Sequence, residues 1–247
     1  MQTTISLTVA ESKRLIAKAT ARHPGVERAR QKGIIAVPPG TTNGYVVEEL
    51  TGEVIDRTQF VTGKTLPSNY DGPKLKYALP DLVLRDGERI DAKATDMAAE
   101  MGPGDVFVKG ANAVNHDLDQ AGILIGHPTG GTVGAVLGAL VARRVCLLQP
   151  TGLEKSVPGD LHDLAAALNE SIDGKGPTLW VTPGELLTEI EAFGLLCGVY
   201  AMPVGAGGVG GAEGAIWLAL FGDKDALDAA MSLVEEVQGE PPFLTVA

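Results

Sequence analysis

The sequence predicts an α/β protein of layered architecture, a mostly parallel sheet with a small α+β element in its last third. Three observations carry this. Short apolar runs alternate with segments of helical period along most of the chain, the pattern of strand, helix, strand units. Several apolar runs stop abruptly at glycine-rich polar turns, as in Asp105-Val-Phe-Val-Lys-Gly-Ala-Asn-Ala-Val-Asn115 and Ile123-Leu-Ile-Gly-His-Pro-Thr-Gly-Gly-Thr-Val-Gly134. Beyond Val199 two strand-like runs follow one another with no helix between them, which calls for an antiparallel pairing.

Taken in order, Val9 to Arg30 has a helical apolar face of Leu15, Ile16, Ala19 and Val26, interrupted at His23-Pro24-Gly25, so two helices are expected. Gly33 to Val37 reads as a strand, Pro38 to Thr42 as a tight loop, and Asn43 to Leu50 as the first turns of a helix. Thr51 to Arg89 has no clear period and reads as loop-rich. Asp91 to Glu100 resembles a short helix, Val106 to Lys109 a strand, Gly131 to Ala142 a helix of small residues, and Arg144 to Gln149 a further buried strand. Asp160 to Glu170 then reads as helix, Thr178 to Thr182 as strand and Glu185 to Phe193 as helix. Val199 to Val204 and Ala215 to Phe221 read as strands, Lys224 to Val237 as helix and Phe243 to Val246 as a last strand. The whole, 1–247, reads as a single α/β domain, with a subdomain over 178–247 left open.

Composition narrows the function. The net charge of -11 repels phosphate backbones, and aromatic residues are only 4% of the chain, so nucleic-acid binding is not expected. An anion that binds here must be captured locally, by backbone amides, helix N-termini and a few lysines. The N-terminus has no basic segment leading into an apolar stretch, and no apolar run reaches the length of a bilayer span, so no membrane association and a cytoplasmic location are expected. Cys146 and Cys197 lie in apolar runs, away from any metal-ligand spacing, and read as core thiols. A homo-oligomer is left open.

Strand ends supply the candidate site. After Val37, the loop Pro38-Pro-Gly40-Thr41-Thr42-Asn43 offers backbone amides, two hydroxyls and a helix start to a phosphate or carboxylate, although Thr41 and Thr42 could equally cap that helix. Lys109 ends a strand and can neutralise an anion or reach solvent; Gly110 and Asn112 follow it. Gly130, Gly131 and Thr132 open the next helix. Glu213 and His127 are the candidates for acid or base chemistry, since each can exchange protons.

Other motifs read as structural. Gly63-Lys64-Thr65 lacks the earlier glycine of a phosphate-binding loop, Thr58 standing there, and reads as an exposed loop that could cover a site. Gly205-Ala-Gly-Gly-Val-Gly210 has dinucleotide spacing, but too little chain remains for the fold that motif needs. It reads as a turn between strands. His116, Asp117, Asp119 and His127 match no tight metal spacing. No metal and no cofactor are expected.

The unit Ile34-Ile-Ala-Val-Pro-Pro-Gly-Thr-Thr-Asn-Gly-Tyr-Val-Val-Glu-Glu-Leu50 resembles the early strand, glycine/threonine loop and helix of the superfamily that includes ribose-5-phosphate isomerase, glucosamine-6-phosphate deaminase and the CoA-transferases. Asp105 to Asn115, Gly126 to Thr132 and Arg144 to Leu164, with Leu153-Glu-Lys-Ser-Val-Pro158, are more specifically similar to its lactate-utilization (LUD) branch. The resemblance covers about half the chain. It implies a three-layer α/β/α fold with a site at strand ends, around Gly40 to Asn43, Lys109 to Asn112 and His127 to Thr132. Where the sugar-phosphate isomerases carry acidic residues this chain has Lys109-Gly-Ala-Asn112, and no CoA-transferase glutamate stands in a matching context. The expectation is therefore a protein that binds, and could transform, a small anionic metabolite: a sugar phosphate, organic acid or acyl thioester. If it is an enzyme, an isomerase or transferase of that superfamily is implied; the alternative is a non-catalytic sensor or assembly subunit on the same fold.

Overall fold

The computed structural model describes residues 1–170 and 173–244. The chain begins with β1 (Gln2–Leu7), α1 (Val9–Arg22), α2 (Pro24–Gln31), β2 (Ile34–Val37) and α3 (Thr41–Thr51). Next come β3 (Leu82–Arg85), β4 (Glu88–Arg89), α4 (Ala94–Met97), β5 (Val106–Val108), β6 (Ala113–Asn115) and β7 (Gln120–Ile125). Then α5 (Gly131–Arg143), β8 (Cys146–Pro150), α6 (Leu161–Asn169), β9 (Thr178–Thr182), β10 (Glu185–Leu187) and α7 (Glu189–Cys197) follow. The last elements are β11 (Tyr200–Ala206), β12 (Ile216–Phe221) and α8 (Lys224–Val237).

The central sheet has six strands in the order β10-β8-β5-β2-β3-β4. Its first four are parallel and the last two antiparallel. Parallel strands are buried on both faces, and β2 and β5 accordingly have no exposed residue. Their side chains alternate between two apolar clusters. Ile35, Val37, Val106 and Val108 join one with residues of α1, α2, α3, α7 and α8; Ile34, Ala36 and Phe107 join the other with residues of α4 and α5. Two antiparallel three-stranded sheets, β1-β12-β11 and β6-β7-β9, complete the fold. The parallel strands point their carboxyl ends in one direction, so the turns after Val37, Val108 and Pro150 gather at one edge.

Local chemistry sets the boundaries. Thr8 and Glu11 form a reciprocal capping box that starts α1, and the break at His23-Pro24-Gly25 falls where Pro24 takes the first turn of α2. Several boundaries differ from the sequence expectation. The 51–89 segment is not all loop: Leu82 to Arg85 is a strand against β2, and Asp86-Gly87 turns it back. Both residues have positive φ, 52° and 84°, the left-handed geometry of a two-residue hairpin turn. Glu185 to Leu187 is strand rather than helix, because Thr188 and Glu191 form a second capping box that starts α7 at Glu189. The expected helix over Asp91 to Glu100 is confined to Ala94–Met97. Phe243 and Leu244 lie in a bend, and the rest of the strand expected at Phe243 to Val246 falls outside the described residues. The N-terminal residues form an unforeseen strand, β1, which buries Ile5 and Leu7 and pairs with β12. Strands of the 178–247 region pair outside it: β9 with β7, β10 with β8 and β12 with β1. Among the described residues no helix is long and apolar enough to cross a membrane.

Candidate functional site

A cleft of about 480 Å³ opens at the carboxyl ends of β2 and β5. All ten residues expected to contact a ligand line it: Gly40, Thr41, Thr42, Asn43, Lys109, Gly110, Asn112, Gly130, Gly131 and Thr132. His127, Thr62, Gly63 and Lys155 line it too. Glu213 does not. It sits in the loop between β11 and β12, where its own backbone N–H and those of Gly211 and Gly210 donate to its carboxylate, the latter two at 2.8 and 3.0 Å. Those bonds hold its pKa below the ordinary carboxyl range, which makes it a weak base at neutral pH.

Two helix N-termini face this cleft, and neither has a side-chain cap. In α3 the N–H of Gly40 is used by the Phe60 carbonyl at 3.1 Å, and the first internal bond runs from Gly44 N to Gly40 O. The amides of Thr41, Thr42 and Asn43 are left as donors. Of the two readings of the threonines, capping is not what the side chains do. Thr42 Oγ1 is buried and has no partner among the described residues, and Asn43 Oδ1 is in the same condition. The Asn43 amide nitrogen, by contrast, donates to the carbonyls of Pro38 at 2.7 Å and Val108 at 3.2 Å, which ties the β2 and β5 strand ends together. Buried polar atoms without partners are uncommon and costly, and here two of them belong to adjacent residues of the cleft wall.

At the start of α5 the chain turns back over itself, and the turn demands glycine. Gly130 has φ 81°, and a Cβ there would meet the Cα of Gly134 at 2.8 Å; a Cβ on Gly134 would meet the Thr129 carbonyl oxygen at 2.0 Å. His127 precedes this turn. Its Nδ1 accepts from Thr129 N at 3.3 Å and lies 2.9 Å from the Thr129 hydroxyl. A backbone N–H can only donate, so the neutral ring carries its proton on Nε2, which has no protein partner among the described residues. A second hollow of about 850 Å³ adjoins across Ile125, Gly126, His127 and Gly130, and Trp180 and His162 line it.

Two lysines dominate the cleft's electrostatics. Lys109 Nζ donates to the Gly110 carbonyl at 3.2 Å and Lys155 Nζ to the Ala111 carbonyl at 3.0 Å. Among the described residues neither has a carboxylate partner, and no carboxylate lines the cleft. Burial, and then the neighbouring Lys155, push Lys109 down to about 8. Lys155 was not a candidate from sequence, because it lies one turn beyond β8 and only the short 3-10 turn Leu153–Lys155 brings it back. That turn is fixed by Glu189, whose Oε2 accepts from Leu153 N at 2.9 Å. The signal available was a lysine just after a buried strand, as at Lys109.

The remaining motifs lie elsewhere or act structurally. Thr62 Oγ1 donates to Pro39 O at 3.2 Å, so the 60–63 loop closes one side of the cleft, while Lys64 turns to the Leu75 carbonyl. The glycines of 205–210 join β11 to β12 without opening a helix. His116 pairs with Glu191 at 2.8 Å, and among the described residues no three His, Cys, Asp or Glu side chains gather as a metal site. Cys146 and Cys197 are free thiols, half-buried, and burial raises the pKa of each. Comparison with protein-family models, with curated proteins and with solved structures finds no match.

Proposed function

We propose that the chain binds a small anionic metabolite, a sugar phosphate, organic acid or acyl thioester, in the cleft at the ends of β2 and β5. The observation that carries this is the pair Lys109 and Lys155, two ammonium groups that share one cleft with no carboxylate partner among the described residues. Two like charges held close together and away from counter-ions cost free energy, and an anion between them removes that cost. The free amides of Thr41 to Asn43 and of Gly131 to Val133 supply further donors, and the Asn112 side-chain oxygen already accepts from Leu124 N at 3.1 Å, which leaves its NH₂ group to donate. In this reading the cleft captures an anion despite the chain's net charge of -11, because screening confines that long-range field to about 10 Å. The finer architecture, helices covering both faces of the six-stranded sheet as three layers, and membership of the CoA-transferase-like superfamily near its LUD branch, belong to the same proposal, as does a cytoplasmic location. They are supported by the division of the core into two clusters and by the sequence resemblance.

A second reading has one specific observation behind it. Among the described residues no carboxylate lines the cleft, and the proton-exchanging groups lining it are His127 and the two lysines, which fits a sensor or assembly subunit that binds without turnover. Calorimetric titration with inorganic phosphate, pyruvate and ribose 5-phosphate tests the common core of both readings. Lys109→Met and Lys155→Met should each weaken the tightest of these by about tenfold, the value of one charge-assisted hydrogen bond. Unchanged affinity in both variants, or no binding of any of the three, overturns the placement.

A further inference from the structure

We propose that Lys109 acts as a nucleophilic amine and forms a Schiff base with a carbonyl group of the bound anion, so that the ligand is a 2-oxo acid or an aldose or ketose phosphate. This rests on the anion-binding reading and deepens it. A lysine attacks a carbonyl only as the free amine, which requires a site that disfavours the ammonium form: apolar walls, a neighbouring cation and no carboxylate in contact. The end of β5 provides these. The root of Lys109 is fixed, since its N–H donates to Leu148 O at 2.9 Å and Val108 before it is fully buried. Its Nζ has one weak protein partner, the Gly110 carbonyl at 3.2 Å. The cleft's other cation, Lys155, is held by a different carbonyl and stays available for the ligand's anionic group. The two lysines thus divide the work: Lys155 holds the charge and Lys109 meets the carbonyl carbon.

The rest of the cleft fits this step. The charged or titratable groups lining it are Lys109, Lys155 and His127. With Lys109 lowered to about 8, about a tenth of it is free amine at pH 7, against fewer than about one in a thousand for an ordinary lysine. The amine lone pair adds to the carbonyl carbon and the C=O π pair moves to oxygen, which takes a proton. The nitrogen then loses a proton to give the carbinolamine. A second proton on the hydroxyl lets it leave as water while the nitrogen pair closes the C=N bond to give the iminium, which returns that proton when it becomes the imine, so amine and carbonyl give imine and water with no oxidant or reductant. His127, with Nε2 unpartnered, is the group in the cleft suited to pass these protons. Lys13 supplies an internal control: burial lowers it to about 8 as well, but it is not among the residues lining the cleft, and its Nζ lies 5.8 Å from the Phe243 ring centre.

The test is reductive trapping. The intact protein is incubated at pH 7 with pyruvate, with dihydroxyacetone phosphate or with acetone in the presence of sodium cyanoborohydride, then analysed by intact mass and peptide mapping. The expected result is a single adduct on Lys109, formed at least about tenfold faster than on any other lysine with an anionic carbonyl but not with acetone, and suppressed by excess inorganic phosphate. Labelling with pyruvate alone assigns a 2-oxo acid; labelling with dihydroxyacetone phosphate alone assigns a sugar phosphate. Lys109→Arg and Lys109→Met should each abolish it. In Lys155→Met the pH at which half-maximal labelling is reached should move upward, because the repelling cation is gone. Adducts spread evenly over surface lysines, sited on Lys13, or retained in Lys109→Met overturn the proposal. Phosphate binding measured on the same samples separates the two claims: binding retained with no Lys109 adduct sinks the Schiff base alone, and loss of both sinks the anion site as well.

Discussion

The two ends of α3 handle charge in opposite ways. At its start, among the described residues, Lys109 and Lys155 meet backbone carbonyls and no carboxylate, and Thr42 Oγ1 and Asn43 Oδ1 have no hydrogen-bond partner. In its second half, Glu48 and Glu49 meet Arg14 at 2.6 and 2.9 Å, Glu240 meets Arg14 at 2.9 Å and Arg57 at 2.8 Å, and Tyr45 lies under the Arg57 guanidinium at 3.9 Å. The second cluster is closed in charge: its cations and anions satisfy one another, and the buried Tyr45 hydroxyl is its one polar atom without a partner among the described residues. The first is open, with donors and cations but no anion. In the proposed reading, completeness separates a structural charge cluster from a binding one, and the same helix carries both.

The largest effect should come from breaking the closed cluster. Arg14→Ala leaves Glu48, only 6% exposed, with Arg57 at 3.7 Å as its one remaining cation, and should cost about 3 kcal/mol of stability in urea denaturation. Phosphate affinity of the folded fraction should fall by less than in Lys109→Met, since Arg57 still holds Glu48 and both lysines remain. Loss of affinity equal to that of Lys109→Met would show that the two ends are not separable.

Glu189 extends the contrast to carboxylates. It is fully buried, among the described residues it has no salt-bridge cation and its Oε1 has no hydrogen-bond partner, and burial, then Glu154, push it up to about 7. A carboxyl raised above its ordinary 4.5 binds its proton more tightly in the folded chain. Its contribution is therefore full below about pH 4.5 and is lost as pH rises through 7. Glu189→Gln keeps an acceptor for Leu153 N and should match the parent near pH 4.5, then exceed it by about 1–2 kcal/mol at pH 8. A constant difference across that range would mean that Glu189 does not titrate there.

The smallest effect is the finest probe of the open end. Thr42→Val removes a buried hydroxyl that has no partner, so the free protein should gain up to about 1 kcal/mol while phosphate affinity falls about three- to tenfold. A loss of stability instead would give that hydroxyl a structural role.

The open end was largely legible in the sequence, and for a local reason. Val37 to Gly40, Val108 to Gly110 and Gly130 to Thr132 each pass from buried strand or tight turn to free backbone within a few residues, and such transitions survive in a linear reading. Lys155 was not legible, because its place depends on Glu189 reaching back to Leu153 across 36 positions. Glu213 shows the converse error of a local reading: an acidic residue after a glycine run looks mobile and available, yet the hairpin between β11 and β12 holds it on amides outside the cleft. The hairpin at Asp86-Gly87 carried a readable turn signal, hidden in a segment whose polar loops outweighed the four residues of β3. The closed cluster lay beyond reach altogether, since Arg14 and Glu240 are separated by 226 positions.

The clamp on Glu48 and Glu49 bears on how the other end of α3 would meet the anion proposed for it. A helix held at its second half by two arginines cannot slide or tilt freely, so the amides of Thr41 to Asn43 already point as they must before any anion arrives. The conformational freedom of that wall is lost when the chain folds, not when it binds. Selection among anions then falls to size and charge geometry in a rigid frame, and the differences between good and poor ligands should lie in how long they stay rather than in how fast they enter.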